Sequence, residues 1–241
     1  MNNPEKGSGS FTRRLFIKAS AFFWLVLAIP KTAWSFFVRS FQTRTVEKEA
    51  FQFDPTSGII HWKDKSSINE PYKLVVEGLV EKPRRFTYKD LQAFSQVVQT
   101  SDFHCVEGWS VKNVVWGGFR FEEITKSVRP KREARYVVFH SLGKTSELAQ
   151  GVDHYIECLP LAKLLDPQKK CLLALTIDGK PLTYERGSPL RVVSPYDLGY
   201  KGSKYVTRVL FTAEQVSGWW TLANPIYNVD APVPEKRLKG N

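Results

Sequence analysis

A succession of short apolar segments with strand character, most of them closed by a turn signal, limits what this chain can fold into. Residues 72–78, YKLVVEG, alternate apolar and polar side chains with the period of two that half-buries a strand. Residues 135–142 repeat the pattern, and residues 171–177 run into Asp178-Gly179, the signature of a hairpin turn. Residues 190–193 and 205–212 predict two further strands. Helical spacing is confined to residues 87–94, TYKDLQAF, which open on Thr87, and residues 159–165, LPLAKLL, stopped by Asp166-Pro167. Many strands with few, short helices predict an α+β domain built on mixed β-sheets. The 241 residues, 42% hydrophobic, suffice for a substantial core and exclude a disordered chain. No internal repeat or low-complexity block is present.

Three parts are expected along the chain. In residues 1–38, Thr12-Arg13-Arg14-Leu15-Phe16-Ile17-Lys18 precedes an apolar run at residues 19–29 and looks like a twin-arginine export signal. That run is short for a spanning helix, which takes about 20 residues, and no small-x-small cleavage site follows. A cleaved signal and a retained inner-membrane anchor both fit. Residues 39–70 are polar and irregular, with a turn at Asp54-Pro55-Thr56-Ser57-Gly58, and read as an extended lead-in. Residues 71–241 form the domain itself.

The formal charge of +11 invites a nucleic-acid partner. Six basic residues against Glu5 give the first forty residues +5, which leaves +6 for the rest. The remaining basic groups, among them Lys82-Arg84-Arg85 and Lys131-Arg132-Arg135, lack the Arg/aromatic repeats of an RNA module, so no nucleic acid is expected. Three cysteines without CxxC or finger spacing exclude a disulfide framework or zinc finger. Cys158 and Cys171 read as reduced and buried, although a bond between them would leave Cys105 free.

Cys105 is different. It stands in SDFHCVEG, a polar, turn-prone stretch before VKNVVWGGF, where a thiolate can sit at the mouth of a site. A cysteine-protease role is excluded, because adjacent His104 points away along an extended segment. His140 and His154 read as hydrogen-bonded structural residues, Trp219, Trp220 and Tyr227 as core, and the basic tail at residues 236–239 as solvated surface. Two further segments bear on chemistry: residues 186–195, RGSPLRVVSP, and residues 199–206, GYKGSKYV. A strand leaving Arg191 into a Gly/Lys loop can present N–H groups and ammoniums to a phosphate. The spacing excludes a Walker loop.

These three segments, in this order, resemble the sulfite oxidase family of molybdopterin oxidoreductases. Within it they are closest to the catalytic subunits of bacterial periplasmic protein-methionine-sulfoxide reductases. The likeness runs from about Tyr72 to the carboxyl end and implies a sulfite oxidase-like molybdopterin-binding fold. It makes Cys105 the one protein ligand of molybdenum, a soft thiolate suited to a metal also held by the dithiolene sulfurs of the pterin. It carries pterin and phosphate contacts to Ser141, Arg186, Arg191 and the Gly202-Ser203-Lys204 loop, with Lys201 adding positive charge. Tyr227 maps to the part of the chain where relatives line the substrate pocket. Two departures stand out. Arg186 replaces the Asn or His that precedes Gly-x-Pro-x-Arg in relatives, and Glu107-Gly108-Trp109 stands where sulfite oxidases carry an arginine pair for their anion.

The resemblance therefore implies an exported oxidoreductase with molybdenum and molybdopterin, transferring an oxygen atom with two electrons. It would act in the reducing direction on a small-molecule or protein-bound S-oxide or N-oxide. Lacking a haem domain, it would take electrons from a membrane-bound partner. The alternatives are a sulfite-oxidising enzyme and a cofactor-free binding module on the same fold.

Overall fold

The computed structural model describes residues 50–63 and 68–238; the arginine pair and apolar run lie outside them. In chain order the strands are β1 (Phe51–Asp54), β2 (Ile59–Trp62), β3 (Asn69–Pro71), β4 (Lys73–Gly78), β5 (Arg84–Thr87), β6 (Gln96–His104) and β7 (Ser110–Phe119). They continue as β8 (Tyr136–Ser141), β9 (Ile156–Pro160), β10 (Leu172–Ile177), β11 (Lys180–Pro181), β12 (Arg191–Val193) and β13 (Val206–Thr212). Between and after them lie α1 (Tyr88–Ala93), α2 (Phe121–Val128), α3 (Leu161–Leu165), α4 (Trp219–Ala223) and α5 (Glu235–Leu238).

These strands form three sheets. One is the meander β1-β2-β3. A second has the order β11-β10-β7-β6 with β12 also paired to β10, and the third has the order β5-β4-β13-β8-β9. Every pairing is antiparallel except β4 with β13, so the third sheet is mixed, as the strand pattern predicts. Alternation sets the buried faces: Leu74 and Val76 of β4 and Val209 and Phe211 of β13 enter the main core. β8 is buried on both faces. Val137 and Phe139 join the main core, while Val138 packs with Ile156, Cys158 and Trp219 in a second cluster.

The turn chemistry is local. Thr87 caps α1 in a capping box with Asp90, its hydroxyl accepting from the Asp90 N–H at 3.2 Å while Asp90 accepts from the Thr87 N–H at 2.7 Å. The second predicted helix begins later than its spacing suggests, because Leu159 and Pro160 finish β9. Residues 50–62 and 69–70, expected as part of an irregular lead-in, instead make most of the β1-β2-β3 meander around the predicted turn. Phe51, Ile60 and Trp62 are core residues.

The longest hairpin, β6–β7, was not legible as a pair of strands. Its 105–109 loop holds Cys105, with His104 paired to Ser110 across it. Gly118 lets β10 close on β7, since a Cβ there would overlap the Leu173 carbonyl. Among the described residues no helix is long and apolar enough to cross a membrane.

Candidate active site

Cys105 is fixed by the hairpin that carries it. Its N–H donates to the Trp109 carbonyl at 2.9 Å, and the Gly108 N–H donates to the Cys105 carbonyl at 3.2 Å, with Gly108 at a φ of 96°. Upstream, Asp102 accepts from the Asn113 N–H and Lys112 Nζ at 2.9 and 2.8 Å, which pins the strand irregularity before the loop. Cys105 is buried, and its sulfur lies 3.9 Å from Glu107 Oε2. Burial pushes the thiol above its ordinary pKa, and the Glu107 carboxylate adds to the rise. A bound metal reverses that balance by taking the sulfur as thiolate.

The second half of the site comes from β12 and the loops around it. Arg191 is buried, its guanidinium 5.4 Å from the Phe103 ring and 5.2 Å from the Trp116 ring. Nη1 donates to the Arg186 carbonyl at 3.1 Å. Among the described residues no carboxylate pairs with it. Burial, reinforced by the Arg186 charge, lowers its pKa to about 10, so it remains a cation at neutral pH. The same Phe103 ring lies against Gly199, where a Cβ would overlap it. Phe103 therefore joins the hairpin of Cys105 to the 199–204 loop, and the cleft between them is lined by His104, Trp116, Arg191, Ser194, Gly199 and Gly202 among others.

The remaining predicted contacts divide. Ser203 is buried with its Oγ unpartnered, next to Gly202 of the cleft. Ser141 Oγ donates to the Lys204 carbonyl at 2.6 Å and so braces the loop from β8. Lys204 Nζ lies 4.8 Å from the Tyr205 ring centroid, and the Arg186 side chain is exposed, offering its carbonyl to Arg191. Lys201 is not available as a phosphate contact. It is 2% exposed, and its ammonium is enclosed by Glu157 Oε1 at 2.5 Å and the Val229 carbonyl at 2.6 Å. Tyr227 packs against Tyr200 and Trp220 with centroids 5.2 and 5.5 Å apart, outside the residues lining this cleft.

Two findings lay beyond sequence reasoning, the pairing of two histidines and the place of Arg237. His140 and His154 are a stacked, hydrogen-bonded pair, Nδ1 to Nε2 at 2.9 Å. All three cysteines are free and buried, as the sequence reading expects of Cys158 and Cys171, and Cys171 Sγ lies 3.5 Å from Ser194 Oγ. Arg237, in the tail expected to be solvated, is bonded to the Cys105 loop. No local signal marks these, because each depends on a partner distant in sequence.

The donor set fits an anionic, sulfur-bearing cofactor. A buried cation without a carboxylate partner is costly alone and relieved by a phosphate, and the Ser203 hydroxyl awaits a partner. Among the described residues no three His, Cys, Asp or Glu side chains converge as metal ligands, so a metal at Cys105 would draw its other ligands from the cofactor. A thiol-bearing hairpin beside a buried cationic loop, on mixed sheets, is an arrangement that can hold an anionic cofactor. The chain belongs to the oxidoreductase molybdopterin binding domain family, which it matches over residues 61–220.

Its relatives agree on the class. It is 33% identical to the uncharacterized oxidoreductase YuiH of Bacillus subtilis over 68% of this chain and 75% of that one. It is 28% identical to the protein-methionine-sulfoxide reductase catalytic subunit MsrP of Pseudomonas syringae over 82% of this chain, and 32% identical to that of Ralstonia nicotianae over 64%. The matches span 62% and 48% of those two reductases. The sulfane dehydrogenase SoxCD of Paracoccus pantotrophus shares the fold, with a TM-score of 0.52 and 23% identity over 60% of this chain and 39% of that one. The chain is an oxidoreductase with a molybdopterin-binding domain of the sulfite oxidase type.

Proposed function

We propose that this protein is an exported molybdenum–molybdopterin enzyme that reduces a neutral S-oxide or N-oxide, protein-bound methionine sulfoxide being the substrate its relatives suggest. The observation that carries this reading is that the uncompensated Arg191 packs on Phe103 of the hairpin that bears Cys105, with His104, the residue before the cysteine, lining the same cleft. Cys105 would ligate the metal, and Arg191, with the Ser203 hydroxyl and the 202–204 backbone, would hold the pterin phosphate. When bound, the molybdenum cofactor supplies two-electron oxygen-atom transfer: an S-oxide takes up two electrons and two protons and becomes a sulfide and water. Glu107, 3.9 Å from the Cys105 sulfur, puts a carboxylate beside the thiol, which would repel a sulfite ion brought close to it. A neutral oxide meets no such repulsion, which supports the reductive reading over the sulfite-oxidising one. Phe103 and Trp116 shield the Arg191 cation from water, strengthening its hold on an anion.

Export rests on the twin-arginine pattern and the electrons on a membrane-bound donor, both of which belong to this proposal. The test is metal analysis of full-length wild type and Cys105→Ser, made with an intact export route. Near-stoichiometric molybdenum in wild type, lost or spectroscopically altered in the variant, is expected. No molybdenum in either protein would overturn the proposal in favour of a cofactor-free binding module. Reduced-dye assays with methionine sulfoxide, oxidised protein and an N-oxide then sort the substrate.

A further inference from the structure

Residues 228–237 run along both halves of the site. The strap is first stitched to the 196–201 loop: the Asn228 carbonyl accepts from Tyr200 Oη at 2.8 Å, and Val229 accepts from Lys201 Nζ at 2.6 Å. The Leu198 N–H donates to Ala231 at 2.8 Å, Asp197 bridges Pro232, and the Val233 N–H donates to Tyr196 at 2.9 Å. Ala231 and Val233 of the strap are buried. The Arg237 N–H then donates to the Pro234 carbonyl at 2.8 Å, a turn that carries the Arg237 side chain over the thiol loop.

There its guanidinium acts as a fork. Nη1 donates to the Cys105 carbonyl at 2.8 Å, and Nη2 donates to the Trp109 carbonyl at 2.5 Å and Ser110 Oγ at 2.9 Å. The two carbonyls are the first and last of the 105–109 loop, already tied to each other through the Cys105 N–H. Ser110 Oγ also meets His104 Nδ1 at 2.8 Å, so the residue before the cysteine joins the same knot. A planar guanidinium can grip both ends of a loop at once, whereas an ammonium cannot match that geometry.

We propose that Arg237 is a positioning residue for Cys105, locking the 105–109 loop in the form that presents its sulfur, and that the strap thereby couples the thiol half of the cleft to its cationic half. What Cys105 would bind rests on the function proposed above; the clamp itself does not.

The test is the alkylation rate of each cysteine by iodoacetamide, read by mass spectrometry on full-length protein from a host unable to make the pterin. Buried Cys158 and Cys171 serve as internal references for the fold as a whole. Loss of charge-assisted hydrogen bonds in Arg237→Ala is expected to raise Cys105 labelling on the order of tenfold with the two references unchanged, and Arg237→Lys to restore it only in part. An unchanged Cys105 rate in both variants overturns the proposal. If Arg237→Ala exposes all three thiols, Arg237→Lys decides: faster labelling of Cys105 alone supports the clamp, and any other pattern overturns it. Molybdenum content of the same proteins from a cofactor-making host separates the two readings. Metal-free wild type with clamped Cys105 would sink the proposed function alone, and metal-loaded wild type with no labelling difference would sink the clamp alone.

Discussion

Lys201 is 2% exposed with its ammonium 2.5 Å from Glu157 Oε1, whereas Arg191, also buried, has no carboxylate partner among the described residues. The difference assigns them different tasks. Burial raises the pKa of Glu157 against the pull of Lys201, and removing the lysine would strand a carboxylate whose Oε2 already lacks a partner. Lys201→Met is expected to cost about 3–5 kcal/mol in urea unfolding, and the double variant Lys201→Met/Glu157→Leu to recover most of it. Molybdenum content per folded protein should be unchanged in that double variant. Arg191→Met behaves in the opposite way. Cofactor-free protein should melt at the wild-type temperature or above, because an uncompensated buried cation is gone, while protein from a cofactor-making host should contain several-fold less molybdenum.

At the level of elements, the edge where β8 meets β9 and β13 carries a directional hydrogen-bond chain. His154 Nδ1 faces Asp153 Oδ1 at 2.9 Å and must donate, since a carboxylate only accepts. The Arg208 guanidinium can only donate, so His140 Nε2 accepts from its Nη1 at 3.3 Å and His140 Nδ1 donates to His154 Nε2 at 2.9 Å. Protonating His140 would set N–H against the guanidinium. Burial, then the Arg208 charge, accordingly lowers its pKa from 6.5 to about 4. The unfolded chain therefore binds more protons between these values, so the stability due to neutral His140 is complete above pH 6.5 and is lost as pH falls toward 4. Thermal melts from pH 8 to 4.5 should show this decline, and His140→Gln should flatten it. Asp153, held at about 2 chiefly by its bond to His154, loses its contribution only below its ordinary value of 3.8, a separate window.

Across the whole molecule, the β1-β2-β3 meander is tied to the site through Phe51, whose ring lies 5.4 Å from Trp62, 5.1 Å from Tyr184 and 5.4 Å from Tyr205. Tyr184 precedes the Arg186 turn, and Tyr205 follows the Gly202-Ser203-Lys204 loop. Phe51→Ala is expected to cost about 3–5 kcal/mol, measured by urea unfolding, and to loosen the cationic loop with it. The meander was partly legible, since Asp54–Gly58 announced its turn. Its strands are brief, and their alternation is interrupted by polar residues, so the flanks read as a lead-in. The thiol-bearing β6–β7 hairpin was missed for the same reason: QVVQTSDFH mixes polar residues into the strand, and its pairing is broken by an irregularity at Ser101 to Phe103.

Strand alternation, the Thr87 start and Asp166 stop signals, and the ordered run of Cys105, RGSPLRVVSP and GYKGSKYV were properties of the sequence alone, because each is set by neighbours within a few residues. They determined a mixed-sheet α+β domain and named the candidate thiol and cations. Only the tertiary structure could decide that Lys201 is neutralised by Glu157, that Arg191 has no carboxylate partner among the described residues, and that Arg237 grips the Cys105 loop. Hydrogen bonds and burial belong to pairs of residues far apart in the chain, and charge type by itself does not say which partner, or which solvent, a side chain will meet.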